Sequence, residues 1–323
     1  MRRNDCARGR NALRSERRGV EPPLVMGAIA VKLKTRPLNP HFGQEVLDVD
    51  LASLTSETFD AIYELWQQDP LLLLRRQCIN ERELVEFSRG FGELDILVRD
   101  DLLSKENPEV IYVTNLKRED GTPLGGLGSY ELNWHHDQIY RQRPPTGSIF
   151  QAVEMPEGQA RTSWCSTVHT YAALPDDLRT RIDNLSSICK YGLRPEAGFQ
   201  RDLKDAATVQ EVHDRTPPAS HPIVLRNPHD GRGALYVDPK KVMGIDGWQE
   251  DDAKALLDEL LPFLVHEEFV YTHSWRPGDV VLWDNARLMH RREAFDGALP
   301  RLAKRTTIHL RPQHFAVPTS TVQ

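Results

Sequence analysis

Asn133-Trp134-His135-His136-Asp137 lies between a glycine-rich segment, Gly121 to Gly128, and a β-like run, Gly147 to Val153. Those flanks predict a strand or a strand end for it rather than a helix. Side chains alternate faces along a strand with period two, so His135 and Asp137 project to one side and His136 to the other. An imidazole and a carboxylate on one face are two members of the 2-His-1-carboxylate triad that holds non-haem Fe(II) and leaves the opposite coordination positions open. Pairs of this kind also arise by chance in short motifs, so the weight of this one depends on a third ligand and a co-substrate anchor elsewhere in the chain.

Working outward, short strand-like runs alternate with turn signals. Pro37 to Gly43 reads as a turn leading into a strand over Glu45 to Asp50, and Leu71-Leu72-Leu73-Leu74 reads as a short buried strand. Residues 56 to 68 carry Phe59, Ile62, Tyr63 and Trp66 on one helical stripe. Asn80 with Glu83 is a near relative of the capping box, opening a helix whose apolar side is Leu84, Phe87 and Phe91. Residues 117 to 132 are polar, glycine-rich and without period, which suits a lid over a site.

In the second half, Arg161 to Ser166 reads as a strand and Leu174 to Leu178 opens a helix. The polar stretch 196 to 218 reads as a mobile connection. His221 to Leu225 and Ala234 to Val237, around Asp230-Gly231, predict a hairpin. Residues 251 to 265 predict an amphipathic helix, and Gly278 to Trp283 and Thr306 to Leu310 predict strands. The fold class is therefore mainly β with flanking helices, a double-stranded β-helix of the cupin-like, jelly-roll kind.

Composition narrows the function classes. The chain has 323 residues and a formal charge of -6, which argues against a nucleic-acid surface, since that requires a basic face. Cys6, Cys78, Cys165 and Cys189 form no CxxC pair, so neither a zinc knuckle nor a disulfide framework is indicated, and a reducing cytoplasm fits. No apolar run approaches the roughly 18 residues of a membrane span. Residues 1 to 25 hold seven Arg (2, 3, 8, 10, 14, 17, 18) against Asp5, Glu16 and Glu21 with little apolar periodicity, and read as a disordered tail before one domain over 26 to 323. The expected partner is a small molecule, with self-association left open.

Further along, Trp283-Asp284-Asn285 ends a strand and His290 follows at the start of a loop. If 301 to 309 is a strand, Arg301 and Arg305 share a face with roots roughly 13 Å apart, so they serve different anions or different ends of one site. Together with Pro37-Leu38-x-Pro40-x-Phe42-Gly43, Phe91-Gly92-Glu93, Thr162-Ser163-Trp164, His221-Pro222 and Ala234-Leu235-Tyr236-Val237, these residues resemble the taurine dioxygenase (TauD/TfdA) family of Fe(II)- and 2-oxoglutarate-dependent oxygenases, from about Pro37 to His309.

The resemblance implies that His135, Asp137 and His290 ligate Fe(II). It implies that Thr162 and Arg301 meet the distal carboxylate of 2-oxoglutarate, and that Arg305 lies near the co-substrate or the substrate anion. Asn133 is a further substrate-side candidate. The implied reaction uses O2 to decarboxylate 2-oxoglutarate to succinate and CO2 while hydroxylating a small anionic substrate. Desaturation or cyclisation in the same site is the alternative, and a non-catalytic metal-binding jelly roll is the reading from another class. The residue types suit this chemistry, because an Arg fork and a Thr hydroxyl match a buried carboxylate. Asp137 does not favour halogenase relatives, which lack this carboxylate. The chain departs from the taurine enzyme soon after Phe-Gly-Glu, where that enzyme places a sulfonate-binding His and this chain has Asp95-Ile96-Leu97-Val98. Lys240 and Lys241 read as a solvated loop pair.

Because the first 25 residues lack the pattern needed to dock on a core, a chain beginning at Met26 is expected to keep its melting temperature and 2-oxoglutarate turnover. A loss of several degrees in a thermal melt would show that the tail packs.

Overall fold

The computed structural model describes residues 31–97, 100–191 and 214–318. The proposed tail, Met26 and most of the 196–218 connection lie outside them. Two sheets face each other. The larger has eight strands, in the order β1 (Lys34–Pro37), β2 (Gln44–Leu47), β3 (Leu71–Leu74), β15 (Val280–Asp284), β7 (Gly147–Glu154), β17 (Leu302–Leu310) and β4 (Gly92–Leu94). Its eighth strand, β5 (Ile111–Thr114), also pairs with β17. The smaller runs β14 (Val270–His273), β8 (Thr162–Ser166), β16 (Leu288–Arg292) and β6 (Leu132–His135). Beside them, β10 (Ala219–Pro222), β9 (Ser186–Cys189) and β13 (Val242–Ile245) form one small sheet, and β11 (Val224–Arg226) with β12 (Gly233–Leu235) another.

Alternation along the central strands assigns each face. Leu72, Leu74, Ile149, Val280, Leu282 and Ile308 meet the helices on the outer side of the large sheet. Leu71, Leu73, Phe150, Val281, Trp283 and Ala303 point inward, to meet Trp164 and Leu288 of the small sheet. The unbroken apolar runs in these strands follow from being covered on both faces.

The covering helices have local causes. In α1 (Ser56–Gln68), Thr55 Oγ1 accepts the Thr58 N–H at 3.2 Å, and Ile62, Tyr63 and Trp66 are buried. In α2 (Glu81–Arg89), Asn80 Oδ1 accepts from Glu83 N–H at 3.0 Å while Asn80 N–H donates to Glu83 Oε2 at 2.8 Å, a full capping box. Two short helices, α3 (Thr167–Ala172) and α4 (Asp176–Ile182), join α5 (Glu250–Leu260) over the small sheet. No helix among the described residues is long and apolar enough to cross a membrane.

Three expectations shift. The helix predicted over 251 to 265 ends at Leu260 and tightens into a 3-10 turn over Leu261–Phe263, because Pro262 has no N–H to continue the ladder. The predicted hairpin is shorter: β11 pairs with β12, whereas His221 and Pro222 belong to β10 and pair with β9. His290 lies inside β16, not in a loop.

Arg287 ties the helical layer to the large sheet. It is 2% exposed, donates from Nε to Asp284 Oδ2 at 2.6 Å and caps the last turn of α1 through the carbonyls of Gln67 at 3.0 Å and Trp66 at 2.8 Å. Arg287→Met leaves Asp284 buried without its cation, which should cost about 3–5 kcal/mol. Urea unfolding with an unchanged m-value tests this, and a loss below about 1 kcal/mol would be incompatible with it.

Candidate metal centre and co-substrate pocket

Strand pairing brings the triad together. His290 of β16 stands opposite His135 of β6, and the register then slips so that Arg292 stands opposite Leu132. One extra residue on β6 makes a bulge, a device that re-aims side chains next to sites. It turns Trp134 toward the outer cluster while His135 faces in, with ring centroids of His135 and His290 at 4.2 Å. Asp137 follows just beyond the end of β6, before Gln138 at φ 51°. The ligand atoms of His135, Asp137 and His290 lie within 4.8 Å of one another.

Each side chain is aimed. His135 Nδ1 lies 2.7 Å from the Asn133 carbonyl, which only accepts, so Nδ1 carries the proton and Nε2 offers its lone pair toward Asp137 Oδ1 at 3.6 Å. His290 Nε2 is 3.5 Å from Asp137 Oδ2. Burial, reinforced by the neighbouring His135, holds His290 well below the usual imidazole range, in the neutral form that metals bind. Burial opposes ionisation of Asp137, but the Arg305 guanidinium beside it outweighs this and keeps the carboxyl well below its usual range. Asn285, fully buried, clamps this residue: its Oδ1 accepts the Asp137 N–H at 2.9 Å and its Nδ2 donates to the Asp137 carbonyl at 3.1 Å.

His136 points the other way. Its Nδ1 donates to the Asn285 carbonyl at 2.6 Å, and its ring packs 4.8 Å from Tyr236. Burial lowers it to about 4, so it is neutral near pH 7.

The triad opens into a cavity between the sheets, walled by apolar side chains such as Leu102, Ile111, Phe150, Trp164 and Trp283. Thr162, Arg301 and Arg305 line it too. Thr162 Oγ1 accepts the Trp275 indole N–H at 2.9 Å and keeps its own proton to donate. Arg305 spans both carboxylate oxygens of Asp137: Nη1 donates to Oδ1 at 3.2 Å, and Nη2 lies 2.7 Å from Oδ2 without hydrogen-bond angles.

Arg301 is the unusual group. It is 2% exposed, pairs with no carboxylate among the described residues, leaves Nε unpartnered, makes one long hydrogen bond, Nη1 to the Val113 carbonyl at 3.5 Å, and lies over the Phe150 and Phe295 rings at 5.7 and 5.8 Å. Burial and nearby Arg292 lower it to about 9, which still leaves it charged at neutral pH. A buried cation without an anion costs several kcal/mol, so this pocket is built for an anionic occupant.

Two imidazoles and a carboxylate, with room beside them, fit a divalent transition metal such as Fe(II). Asn133 does not fit its expected role: it is exposed and does not line the cavity, and its contribution is the carbonyl that orients His135. Asp95 is buried, with both oxygens 2.6 Å from Arg141 Nη1 and further contacts from Gln138 Nε2 at 3.3 Å and His309 Nε2 at 3.2 Å. It braces the turn after Asp137. Lys241 is buried and lines the cavity, contrary to the solvated pair expected. Arg292 is a functional residue that local patterning missed: it donates to the carbonyls of Leu127 at 3.0 Å and Gly128 at 2.6 Å, and to that of Tyr130, pinning the expected lid as one wall. Its place two residues after His290 on one strand is the signal that could have found it.

A family model described as taurine catabolism dioxygenase TauD, TfdA family matches residues 34–307. The chain is 29% identical to pentalenolactone F synthase of Streptomyces arenae, over 72% of this chain and 80% of that protein. It is 28% identical to the alpha-ketoglutarate-dependent 2,4-dichlorophenoxyacetate dioxygenase of Cupriavidus pinatubonensis, over 84% of this chain and 96% of that one. The crystal structure of a taurine dioxygenase from Burkholderia xenovorans shares the fold at a TM-score of 0.70 and 24% identity, covering 90% of this chain and 95% of that chain.

The adjacent histidines give a discriminating test. His135→Ala should abolish stoichiometric Fe(II) binding, whereas His136→Ala should retain it and lose only the hydrogen bond to the Asn285 carbonyl and the packing on Tyr236. Metal analysis of both folded variants decides, and retention of iron by His135→Ala with its loss in His136→Ala would reverse the assignment.

Proposed function

The chain belongs to the taurine catabolism dioxygenase TauD, TfdA family, and from that premise we propose that it is a 2-oxoglutarate-dependent dioxygenase whose iron is held by His135, Asp137 and His290. Fe(II), 2-oxoglutarate and O2, when bound, supply oxidative decarboxylation of 2-oxoglutarate to succinate and CO2, coupled to hydroxylation of a small anionic organic substrate. The observation that carries the co-substrate site is the buried, unpaired Arg301 in the cavity that the triad shares. Its guanidinium receives the distal carboxylate as a planar fork, and the Thr162 hydroxyl donates beside it.

The remaining residues orient and exclude. Arg305 holds Asp137 ionised and presents cationic charge on the substrate side. Leu102, Ile111, Phe150 and the tryptophans keep water from the reacting atoms. Relatives are named for a phenoxyacetate and for pentalenolactone F. Desaturation or ring closure in the same site is the alternative outcome. A non-catalytic jelly roll gives way to family membership. Among the described residues Cys78, Cys165 and Cys189 are in no disulfide, which fits a cytoplasmic enzyme.

Arg301→Leu should weaken 2-oxoglutarate binding by about 10- to 150-fold, the worth of a hydrogen bond to a charged group. Arg305→Leu should also affect the substrate. Anaerobic titration of the visible charge-transfer band of the Fe(II) complex measures the first effect, and an unchanged affinity in Arg301→Leu would remove that residue from its role.

A further inference from the structure

Lys241 is 7% exposed and lines the same cavity as the triad, although it comes from the segment leading into β13 rather than from either main sheet. Its Nζ donates to Asp238 Oδ2 at 2.7 Å. Asp238 is wholly buried and fixed, its Oδ1 accepting the Lys240 N–H at 2.8 Å. An ammonium has three donors, and among the described residues Asp238 is the one acceptor this side chain reaches.

The attraction within such a buried pair is largely offset by its desolvation, so stability gives little reason for placing a charge here. Nor does the local backbone need it: the Lys241 N–H already donates to the Asp238 carbonyl at 3.1 Å, and the Lys241 carbonyl accepts from the Lys190 N–H at 3.0 Å. The other cations of the cavity have assignments. Arg301 faces the co-substrate, Arg305 sits on Asp137, and Arg292 is spent on lid carbonyls.

We propose that Lys241, held at the wall by Asp238, is a specificity-determining residue that binds an anionic oxygen group at one end of the substrate, whose apolar body lies against the leucine and isoleucine side chains of the cavity. Carboxylate, sulfonate and sulfate ester share this chemistry. The inference rests on the iron and co-substrate reading above and deepens it. A lysine acts here as a compact point charge, which tolerates any of the three oxyanions.

The test uses the whole protein with Fe(II) and 2-oxoglutarate under anaerobic conditions, reading perturbation of the charge-transfer band as ligand binding. The probes are 2,4-dichlorophenoxyacetate, hexanesulfonate and hexyl sulfate, with 2,4-dichlorophenoxyacetamide and hexanol as neutral counterparts. At least one anion should bind at least about tenfold more tightly than its counterpart, and Lys241→Met should remove about 10- to 150-fold of that anion's affinity. Lys241→Arg, which keeps the positive charge, should retain more of that affinity than Lys241→Met does.

Since Lys241→Met leaves Asp238 unpaired, the double variant Asp238→Asn/Lys241→Met, which removes both charges, keeps the comparison available if the single variant does not fold. A band in the wild-type protein with no anion binding, with neutral probes binding equally, or with unchanged affinities in the variants overturns the role of Lys241 alone. A wild-type protein without the band sinks the iron reading and this one with it.

Discussion

The side-chain amide of Asn285 reads both backbone groups of Asp137, and its backbone carbonyl accepts a hydrogen bond from His136 Nδ1–H. One buried residue at the end of β15 thereby fixes the turn that follows β6. Asp137 faces the two imidazoles because its main chain has no freedom to rotate, and His136 is drawn to the opposite side by the same partner. The neighbouring Arg287 and Asp284 anchor that end of β15 to the last turn of α1. The candidate metal centre is thus referenced to the helical layer as well as to the sheets, which suits a site that must hold its geometry before any ion arrives.

Facing sheets explain why so much charge is tolerated inside. Alternation sends Ala303 and Arg305 to the inner face of β17 and Ile308 and Leu310 to the helical side. The cavity is lined by cations whose partners differ in kind: a carboxylate that is also a ligand candidate for Arg305, backbone carbonyls for Arg292, a dedicated aspartate for Lys241, and for Arg301 no carboxylate, only one long hydrogen bond to the Val113 carbonyl and two aromatic rings. The electrostatic imbalance is local. The chain as a whole carries a charge of -6, so the cavity is a cationic interior within an anionic molecule.

What could be read in the sequence was what local chemistry determines. The stripe of α1 and the Asn80–Glu83 box were legible because helix geometry relates residues three and four apart. The inward pair His135 and Asp137 was visible from alternation, although the observed strand stops at His135 and carries a bulge that no local signal announces. Non-local pairing defeated the rest. His290 looked like loop because its partners lie in strands far away in sequence, and His221 looked continuous with Val224 although the two pair with different strands. Burial of Lys241 depends on Asp238 being sealed under other elements, which adjacent lysines in a polar run do not reveal.

The bulge in β6 makes spacing as much a determinant of the centre as residue identity. Leu132 and His135 face partners only two positions apart on β16, so the surplus residue between them sets which histidine of the adjacent pair looks inward. Removing one residue from the Asn133-Trp134 step would slide the following chain by one place, exchange the orientations of His135 and His136, and present Asp137 to the wrong face, with every side chain still present. Relatives that keep the same letters but differ by one position here would be different machines. In this stretch an alignment gap carries more information than a substitution.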